Sequence, residues 1–383
     1  MSYAGRRVMC DADSHLMELP DFLARNVESS MRAEIPSLED IRLADVGTQM
    51  RELQGARGHS QATVNQLVAL GDNLTRGPKW HAALGAFNGV ERGIALDLLG
   101  FHQQVVFSSF CATKIFGTTD PQAMYAAAAA HNRSMAEFCA CDERLIGVGM
   151  VPLDDTERAH QLLDEALALG LGAMWIPSRA PGGRSPGHPD HDTFWRKLSE
   201  HQVPFIQHVG SSNLSIPDPW MNDGIEDRQS ARGGAEVIGS KDLTVIFQAA
   251  QRFISVMVLD GVFERFPDLK GGVIELGAGW VPDTIRRLDH AVDIWARSEP
   301  HLAEFERKPS AQFRDQLRFT PYPFENVGQL MSESCPELYL FSSDYPHAEG
   351  GRDPIKRFDT ALEQRSANDQ LLFYEGNFRT LYG

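Results

Sequence analysis

The 383-residue sequence is poor in cysteine, and its five cysteines, at positions 10, 111, 139, 141 and 335, form no Cys-x-x-Cys pair. An odd number of cysteines is difficult to reconcile with a disulfide framework. We therefore predict free thiols, buried or half-buried, in the reducing environment of the cytoplasm. None of them is predicted to enter a functional site.

The sequence also lacks long apolar runs and an excess of positive charge. No run approaches the ~18 apolar residues of a membrane span, and Arg6 and Arg7 lead into Val8 without the apolar core of a signal peptide. We expect neither membrane association nor secretion. The net charge of −16 argues against a nucleic-acid partner, because such a surface needs clustered lysine and arginine.

Short apolar runs alternate with stretches of helical character, which is typical of repeated β-α units around a parallel sheet. Helices are predicted between the runs, among them Pro121 to Ala140, Thr156 to Leu169, His191 to His201 and Val281 to Trp295, with Asp155 or Thr156 as an N-cap. The eight predicted strands are Val8 to Asp13, Gln104 to Ser108, Leu145 to Val151, Ala173 to Ile176, Pro204 to His208, Lys270 to Glu275, Leu317 to Thr320 and Leu338 to Ser343. Eight such units predict an α/β fold, a distorted (β/α)8 TIM barrel that forms a single domain over residues 1–383.

Two stretches exceed a minimal barrel, one after the first strand and one after the fourth. They are Arg51 to Gly93 and Ser178 to Asp192. Both follow strand carboxyl ends, where barrel enzymes place lids and substrate loops. A passive surface loop would have the same glycine and proline content.

Three predicted strands end in side chains that bind divalent metals. Asp13 and His15 are two apart in the first strand, so they point to the same side of an extended backbone. His208 ends the fifth strand and Asp344 follows the eighth. Singly, each residue has an ordinary explanation as a helix cap, a core histidine or a turn residue. Together they predict a metal site, because strand ends are neighbours around the rim of a closed barrel.

These motifs resemble the amidohydrolase superfamily, specifically the amidohydrolase-related branch that includes aminocarboxymuconate-semialdehyde decarboxylase. The resemblance lies in Asp13-Ser-His15, His208 and Ser343-Asp344-Tyr-Pro, and it continues through the segments 260–270, 275–282 and 376–383. It implies the barrel fold and metal-binding roles for Asp13, His15, His208 and Asp344.

Two positions depart from that branch. Asp13 stands where many relatives have histidine or glutamate, and a harder oxygen ligand can shift the metal preference away from zinc. Glu275 stands where the decarboxylases are expected to have a catalytic histidine. Glu275 is predicted to act as a base or as a further metal ligand, although its carboxylate can also bond backbone amides of the Gly277-Ala-Gly279 turn.

The resemblance leaves the number and kind of metal open. Superfamily members with two metals use a carbamylated lysine on strand 4, and Ala173-Met-Trp-Ile-Pro177 contains no lysine. One divalent ion, zinc, iron or manganese, is expected, and a second is possible if Glu275 supplies a carboxylate.

Other candidate residues surround this predicted site. Glu18 is predicted to orient a metal-bound histidine. His347 is predicted to be a catalytic acid or base, or a substrate contact, unless it is a surface turn residue. Candidate substrate contacts on the loops are the aromatic residues Trp80, Phe87, Phe110, Phe116 and Trp220 and the basic residues Arg76, Lys79, Arg179 and Arg184.

Three functions fit these residues. In a hydrolase, the metal activates water and polarises a carbonyl, with Asp344 or Glu275 accepting the proton. The alternative is a non-oxidative decarboxylase, which needs a proton donor. Because Glu275 replaces the expected histidine, we favour hydrolysis. A third function, a barrel that binds a ligand without catalysis, would contain no stoichiometric metal.

The expected partners are a small-molecule substrate and a second copy of the chain in a homodimer.

Overall fold

The structure is a computed structural model that describes residues 2–39, 53–211, 216–224 and 239–383. Its centre is a sheet of seven parallel strands in the order of the sequence. The strands are β1 Cys10–Leu16, β2 Gln103–Ser108, β3 Leu145–Met150, β4 Ala173–Trp175, β5 Phe205–His208, β6 Gly271–Ile274 and β7 Leu317–Phe319. Nearly every strand residue is buried, as expected for a parallel sheet covered on both faces. The first seven strand predictions are confirmed to within three residues at their ends.

The eighth predicted strand, Leu338 to Ser343, is an extended segment rather than a regular strand. Tyr339 forms an isolated parallel bridge with Phe319 of β7, and Tyr345 forms another with Ser14 of β1. The segment 339–345 therefore lies between the two edges of the curled sheet and joins them. Regular pairing is interrupted because the backbone N–H of Ser343 donates to the carboxylate of Asp11, at 2.8 Å, rather than to a backbone carbonyl.

Helices follow the strands along the chain, and the four predicted ones are confirmed to within about a residue. Asp155 is the N-cap of its helix, since its side chain accepts a hydrogen bond from the backbone N–H of Arg158. The α-helices are α1 Gln61–Val68, α2 Gly89–Leu99, α3 Cys111–Phe116, α4 Pro121–Cys139, α5 Thr156–Ala168, α6 Asp192–His201, α7 Asp218–Met221, α8 Ser240–Leu243, α9 Gln248–Leu259, α10 Val262–Arg265, α11 Val281–Trp295, α12 Pro300–Ala303, α13 Pro309–Gln316, α14 Val327–Glu333, α15 Pro354–Leu362, α16 Ala367–Leu371 and α17 Asn377–Tyr382.

The insertion after β1 packs onto the rim of the sheet. Residues 51 and 52 lie outside the described residues, and the remainder contains α1, two short 3-10 helices and the start of α2. Its backbone bonds to β1 through Met17 N–H and Ala86 O at 2.8 Å, and to the eighth segment through Trp80 N–H and Pro346 O at 3.1 Å. The insertion therefore forms a wall beside the strand ends that carry the predicted metal ligands.

All five cysteines are free thiols, as predicted, although Cys141 is exposed rather than buried or half-buried. Among the described helices, one stretch, Ser240–Leu259, is long and apolar enough to cross a membrane, with a mean hydropathy of 1.3. Phe253, Met257 and Val258 of this stretch are buried in the hydrophobic core. The window is 39% buried, and core helices of folded domains pass the same test of length and composition, so the stretch alone is weak evidence for a membrane span.

Arg92 on α2 connects the insertion to β1 from inside the protein. Its guanidinium is fully buried and donates to the backbone carbonyls of Gly85 and His15 and to the side chains of Ser14 and Gln104. Burial lowers the pKa of Arg92 to about 10, so the side chain is charged at neutral pH. The Arg92 guanidinium therefore holds the backbone of His15, a predicted metal ligand, in place.

We expect Arg92→Met to lower the free energy of unfolding by roughly 3 kcal/mol or more, because several buried acceptors lose a charged donor together. The measurement is urea-induced unfolding. Arg158→Met is the control, since the exposed Arg158 pairs only loosely with Asp155, at 3.7 Å, and such pairs contribute about 0–1 kcal/mol. Equal losses in the two variants would contradict a structural role for Arg92.

Candidate metal centre

The predicted ligands meet at the carboxyl ends of the strands. Asp13 and His15 alternate in β1, and His208 is the last residue of β5. Glu275 directly follows β6, and Asp344 lies in the eighth segment beside Asp13, whose carbonyl accepts its N–H at 2.9 Å. Neighbouring strand ends thus bring together residues more than 300 positions apart.

The donor atoms of these residues lie within a small space. His15 Nε2 is 3.4 Å from Asp13 Oδ1, from Glu275 Oε2 and from Asp344 Oδ1. His208 Nε2 is also 3.4 Å from Asp13 Oδ1 and from Glu275 Oε2. Ligand atoms held by one cation at about 2.0–2.2 Å lie about 3.0–3.5 Å apart at tetrahedral or octahedral angles. The observed spacing therefore fits a cation in either of two overlapping groups, Asp13, His15, His208 and Glu275 or His15, Glu275, Asp344 and His347, within each of which the ligand atoms lie within 4.8 Å of one another.

The residues present fit a divalent cation. Asp13, Glu275 and Asp344 place three carboxyl groups in a buried site, and the ion pairs recorded for Asp13 and Asp344 among the described residues are with histidines. Neither carboxylate oxygen of Asp344 accepts a hydrogen bond in the described part of the chain. Buried carboxylates need a positive charge to offset the cost of desolvation, and oxygen and imidazole donors suit zinc, manganese or iron.

His208 is already oriented for binding a metal. Its Nδ1 lies 3.0 Å from the carbonyl oxygen of Val209, which places the ring proton on Nδ1 and leaves a lone pair on Nε2. Trp175 of β4 packs against the same ring, with centroids 4.6 Å apart. No lysine occurs on β4, as expected from the sequence, and a tryptophan contacts the metal ligand instead.

The carboxyl groups of Asp13 and Asp344 differ in acidity. Burial raises the pKa of Asp13, but hydrogen bonds with His15 and His208 outweigh it and lower the pKa to about 2. The pKa of Asp344 is raised well above its ordinary value by burial and by the charge of Glu275, against the opposing effect of His15. Asp344 is thus the carboxyl group with the higher affinity for a proton, a property expected of a general base.

Glu275 and Asp344 share an unusual backbone conformation. Their φ angles are +54° and +52°, in the left-handed region that residues other than glycine rarely adopt. Glu275 is supported by hydrogen bonds from its N–H to Thr320 Oγ1 at 2.8 Å and from Tyr322 O–H to its carbonyl at 3.1 Å, and Asp344 by the bond from its N–H to the Asp13 carbonyl at 2.9 Å. Such strain is concentrated at functional sites, and here it occurs at the two predicted catalytic carboxylates.

The alternative interpretation of Glu275 is not supported. The amides of Ala278 and Gly279 donate to Glu325, at 3.0 and 2.7 Å. A different carboxylate therefore stabilises the turn after β6, and that of Glu275 lies at the predicted metal ligands.

Glu18 has a different role from the one predicted. Its carboxylate accepts hydrogen bonds from the backbone N–H groups of Ser109, Phe110 and Cys111, at 3.0 to 3.2 Å. These amides begin α3, where unpaired N–H groups favour a negative charge. Glu18 holds the loop after β2 in place instead of acting as the predicted orienting group of a metal ligand.

His347 is fully buried, so the surface-turn interpretation is wrong. Its Nδ1 lies 3.1 Å from Asp344 Oδ1, and its ring stacks on His15 with centroids 3.8 Å apart. Its Nε2 lies 2.8 Å from the hydroxyl of Ser109. Sequence reasoning missed Ser109, because a serine after an apolar strand has no distinguishing local pattern.

Of the aromatic loop residues, Trp80 lies beside the site, with its ring 5.0 Å from that of His347. Phe87, Phe110 and Phe116 pack against His59, His81 and Trp175 respectively, while Trp220 is 75% exposed. The basic residues bond to other partners: Arg76 to Asp353, Lys79 to the Gly351 carbonyl, Arg179 to Asp154 and Arg184 to Asp190.

Comparisons with known proteins agree with this fold. No curated protein matches the chain. A solved amidohydrolase from Mycobacterium avium subsp. paratuberculosis K-10 is 23% identical, with a TM-score of 0.75 over 99% of this chain and 100% of the other. The dihydroxybenzoic acid decarboxylase of Polaromonas sp. JS666, with bound manganese and 2-nitroresorcinol, is 18% identical with a TM-score of 0.61 over 98% and 97%. The 5-carboxyvanillate decarboxylase of Novosphingobium aromaticivorans, a mutant with bound manganese, is 19% identical with a TM-score of 0.61 over 98% and 96%.

At these identities the solved structures show a shared fold. The family is shown by a separate comparison, in which the amidohydrolase family model matches residues 108–383. This range includes His208, Glu275 and Asp344. The chain belongs to the amidohydrolase family.

Proposed function

We propose that the chain is a metal-dependent hydrolase that cleaves a carbonyl-type bond of a small organic substrate. The observation that carries the proposal is the Asp344 carboxylate, which is buried, accepts no hydrogen bond among the described residues, and lies 3.4 Å from His15 Nε2. A carboxylate in that position can take a proton from water and return it to a leaving group.

Asp13, His15 and His208 would hold the cation, together with Asp344 and Glu275. When bound, the cation would supply Lewis acidity, which activates water and polarises the substrate carbonyl. Of the three expected metals, zinc, iron and manganese, the last is supported by two decarboxylases of the same fold that contain it.

The side chains of Asp344, Glu275 and Trp80 would each have a separate role in the reaction. Asp344 accepts the proton at its carboxylate, which the raised pKa favours. The Glu275 carboxylate lies 3.4 Å from His15 Nε2 and from His208 Nε2, where it can bind the cation. Trp80 covers the outer side of His347, limiting the access of bulk water and providing an apolar face for a substrate group.

The second candidate is decarboxylation of an aromatic or unsaturated acid. It is favoured by His347, whose buried imidazole beside Asp344 offers a nitrogen for proton transfer to carbon. It is also supported by the two decarboxylases of aromatic acids that share the fold. Hydrolysis remains our first proposal because Glu275 lies among the metal ligands and provides no second imidazole.

The test is a panel of esters, thioesters, amides, lactones and hydroxybenzoates, incubated with the metal-loaded protein in water enriched in oxygen-18. Hydrolysis predicts a product carboxylate that contains the heavy oxygen and no release of CO2. Release of stoichiometric CO2 from a hydroxybenzoate, with no heavy oxygen in the product, would replace hydrolysis by decarboxylation. The matched control is the Asp283→Asn variant, which removes a surface carboxylate that pairs with Arg286 and Arg287 and should leave the products unchanged.

A further inference from the structure

The two ring nitrogens of His347 face different neighbours. Nε2 lies 2.8 Å from the Ser109 hydroxyl, and Nδ1 lies 3.1 Å from Asp344 Oδ1. The side chain is fully buried, and Nδ1 forms no hydrogen bond within the described residues. A neutral imidazole carries one proton, so one nitrogen donates and the other accepts.

The hydrogen bonds of Ser109 determine which ring nitrogen of His347 carries the proton. Its hydroxyl donates to the carbonyl oxygen of Leu16 at 3.0 Å, and its backbone N–H donates to Glu18 at 3.0 Å. Since a hydroxyl has a single proton, Ser109 Oγ is left to accept from His347 Nε2–H. In the opposite tautomer, the proton on Nδ1 would be buried without an aligned acceptor, which costs about 1–3 kcal/mol.

Nδ1 therefore presents a lone pair to a carboxylate oxygen. Both atoms are then acceptors, and neither forms a hydrogen bond in the described part of the chain. His15 Nε2 is 3.4 Å from the same oxygen, and its ring is stacked on that of His347. The donor atoms of His15, Glu275, Asp344 and His347 all lie within 4.8 Å of one another. A cation bound by both His347 Nδ1 and Asp344 Oδ1 would remove the repulsion between these two acceptors.

We propose that His347 is a ligand of a divalent cation held with His15, Glu275 and Asp344, bound through Nδ1, and that Ser109 is the positioning residue that keeps the ring proton on Nε2. This inference rests on the proposed function, because it requires a bound cation. It adds a ligand to the predicted set and gives Ser109 a role.

The first experiment identifies the ligand directly by proton NMR of the protein loaded with Co²⁺. Each metal-bound histidine keeps one ring N–H, which gives a strongly shifted resonance that disappears in D₂O. Three such resonances are expected, from His15, His208 and His347, and His347→Gln should remove one of them. Two resonances in the wild type, unchanged in His347→Gln, would overturn the inference while leaving the metal site intact. No shifted resonance at all would instead overturn the proposed function.

The second experiment measures Mn²⁺ affinity and tests Ser109 without removing a ligand. Loss of a group that orients a metal ligand typically weakens metal binding about 10- to 100-fold. That loss is expected for Ser109→Ala, and Ser109→Thr, which keeps the hydroxyl, should restore the affinity. Ser108→Ala is the matched control, because the neighbouring Ser108 hydroxyl is buried and makes no hydrogen bond among the described residues.

The variants separate positioning from general stability. Circular dichroism at rising temperature identifies any variant that has unfolded. If folded Ser109→Ala binds Mn²⁺ as tightly as Ser108→Ala does, the proposed role of Ser109 is wrong. If both variants lose affinity equally, the effect belongs to the strand and not to the Ser109 hydroxyl, which also contradicts the proposal.

Discussion

Replacing Asp344 with asparagine is expected to lower kcat/KM by about 1,000-fold or more while the protein stays folded. The variant keeps the size of the side chain but loses both the negative charge that binds the cation and the group that accepts the proton. Because burial and Glu275 raise the pKa of Asp344, removing this carboxyl also removes a repulsion between two buried carboxylates. The expected result is therefore an inactive protein that stays folded and whose melting temperature, compared with that of the metal-free wild type, is unchanged or higher.

The measurement combines steady-state kinetics on a substrate found in the panel with thermal unfolding and metal analysis. Asp283→Asn serves as the control, because Asp283 lies on the surface of α11 and pairs with the neighbouring Arg286 and Arg287. That variant should keep its activity. An active Asp344→Asn enzyme would contradict both the hydrolase and the decarboxylase proposals.

Removal of the metal by a chelator is expected to abolish activity and to lower the melting temperature by roughly 3–5 °C. A ligand present at 100 times its Kd adds about 2.7 kcal/mol to the stability of the folded state, and a chain of this size gains somewhat less than about 2 °C per kcal/mol. Without the cation, the buried carboxylates of Asp13, Glu275 and Asp344 lose their compensating charge.

Differential scanning calorimetry of the protein, before and after chelation and again after addition of Mn²⁺ or Zn²⁺, measures this effect. In His208→Asn the chelator should leave the melting temperature nearly unchanged, because a ligand is already missing. A wild-type protein that contains no stoichiometric metal and is unaffected by the chelator would instead support a barrel that binds a ligand without catalysis.

Much of the fold could be predicted because buried parallel strands have a simple composition. Each of β1 to β7 is enclosed on both faces, so it appears in the sequence as a short apolar run between helices. The helices were predictable from alanine content and caps such as Asp155. The eighth strand was only partly predictable, since a side chain far away in the sequence, Asp11, takes the hydrogen bond that a regular ladder would use.

The candidate ligands were predictable for a similar reason. Asp13 and His15 alternate within one strand, and His208 ends another. Parallel strands align their carboxyl ends, so residues at those ends become neighbours however far apart they lie in the chain.

Carboxylates that bond backbone amides far away in the sequence were not predictable, unlike a local cap such as Asp155. Glu18 was expected to orient a metal ligand but caps α3, and the amides considered for Glu275 are bonded by Glu325. All three are glutamates beside plausible partners in the sequence. Which carboxylate reaches which amide depends on the path of loops whose ends are set by other contacts.

The sequence by itself determined the parallel α/β architecture, the approximate positions of the strand ends, and the candidate metal ligands Asp13, His15, His208 and Asp344 that stand there. Only the tertiary structure decided which other groups complete the site: Ser109 against His347, Trp80 over the same ring, and Arg92 beneath His15. The physical reason is that strand periodicity is a local property that leaves a pattern in the sequence. A hydrogen bond between residues 238 positions apart, as between Ser109 and His347, leaves no such pattern and exists only once the chain has folded.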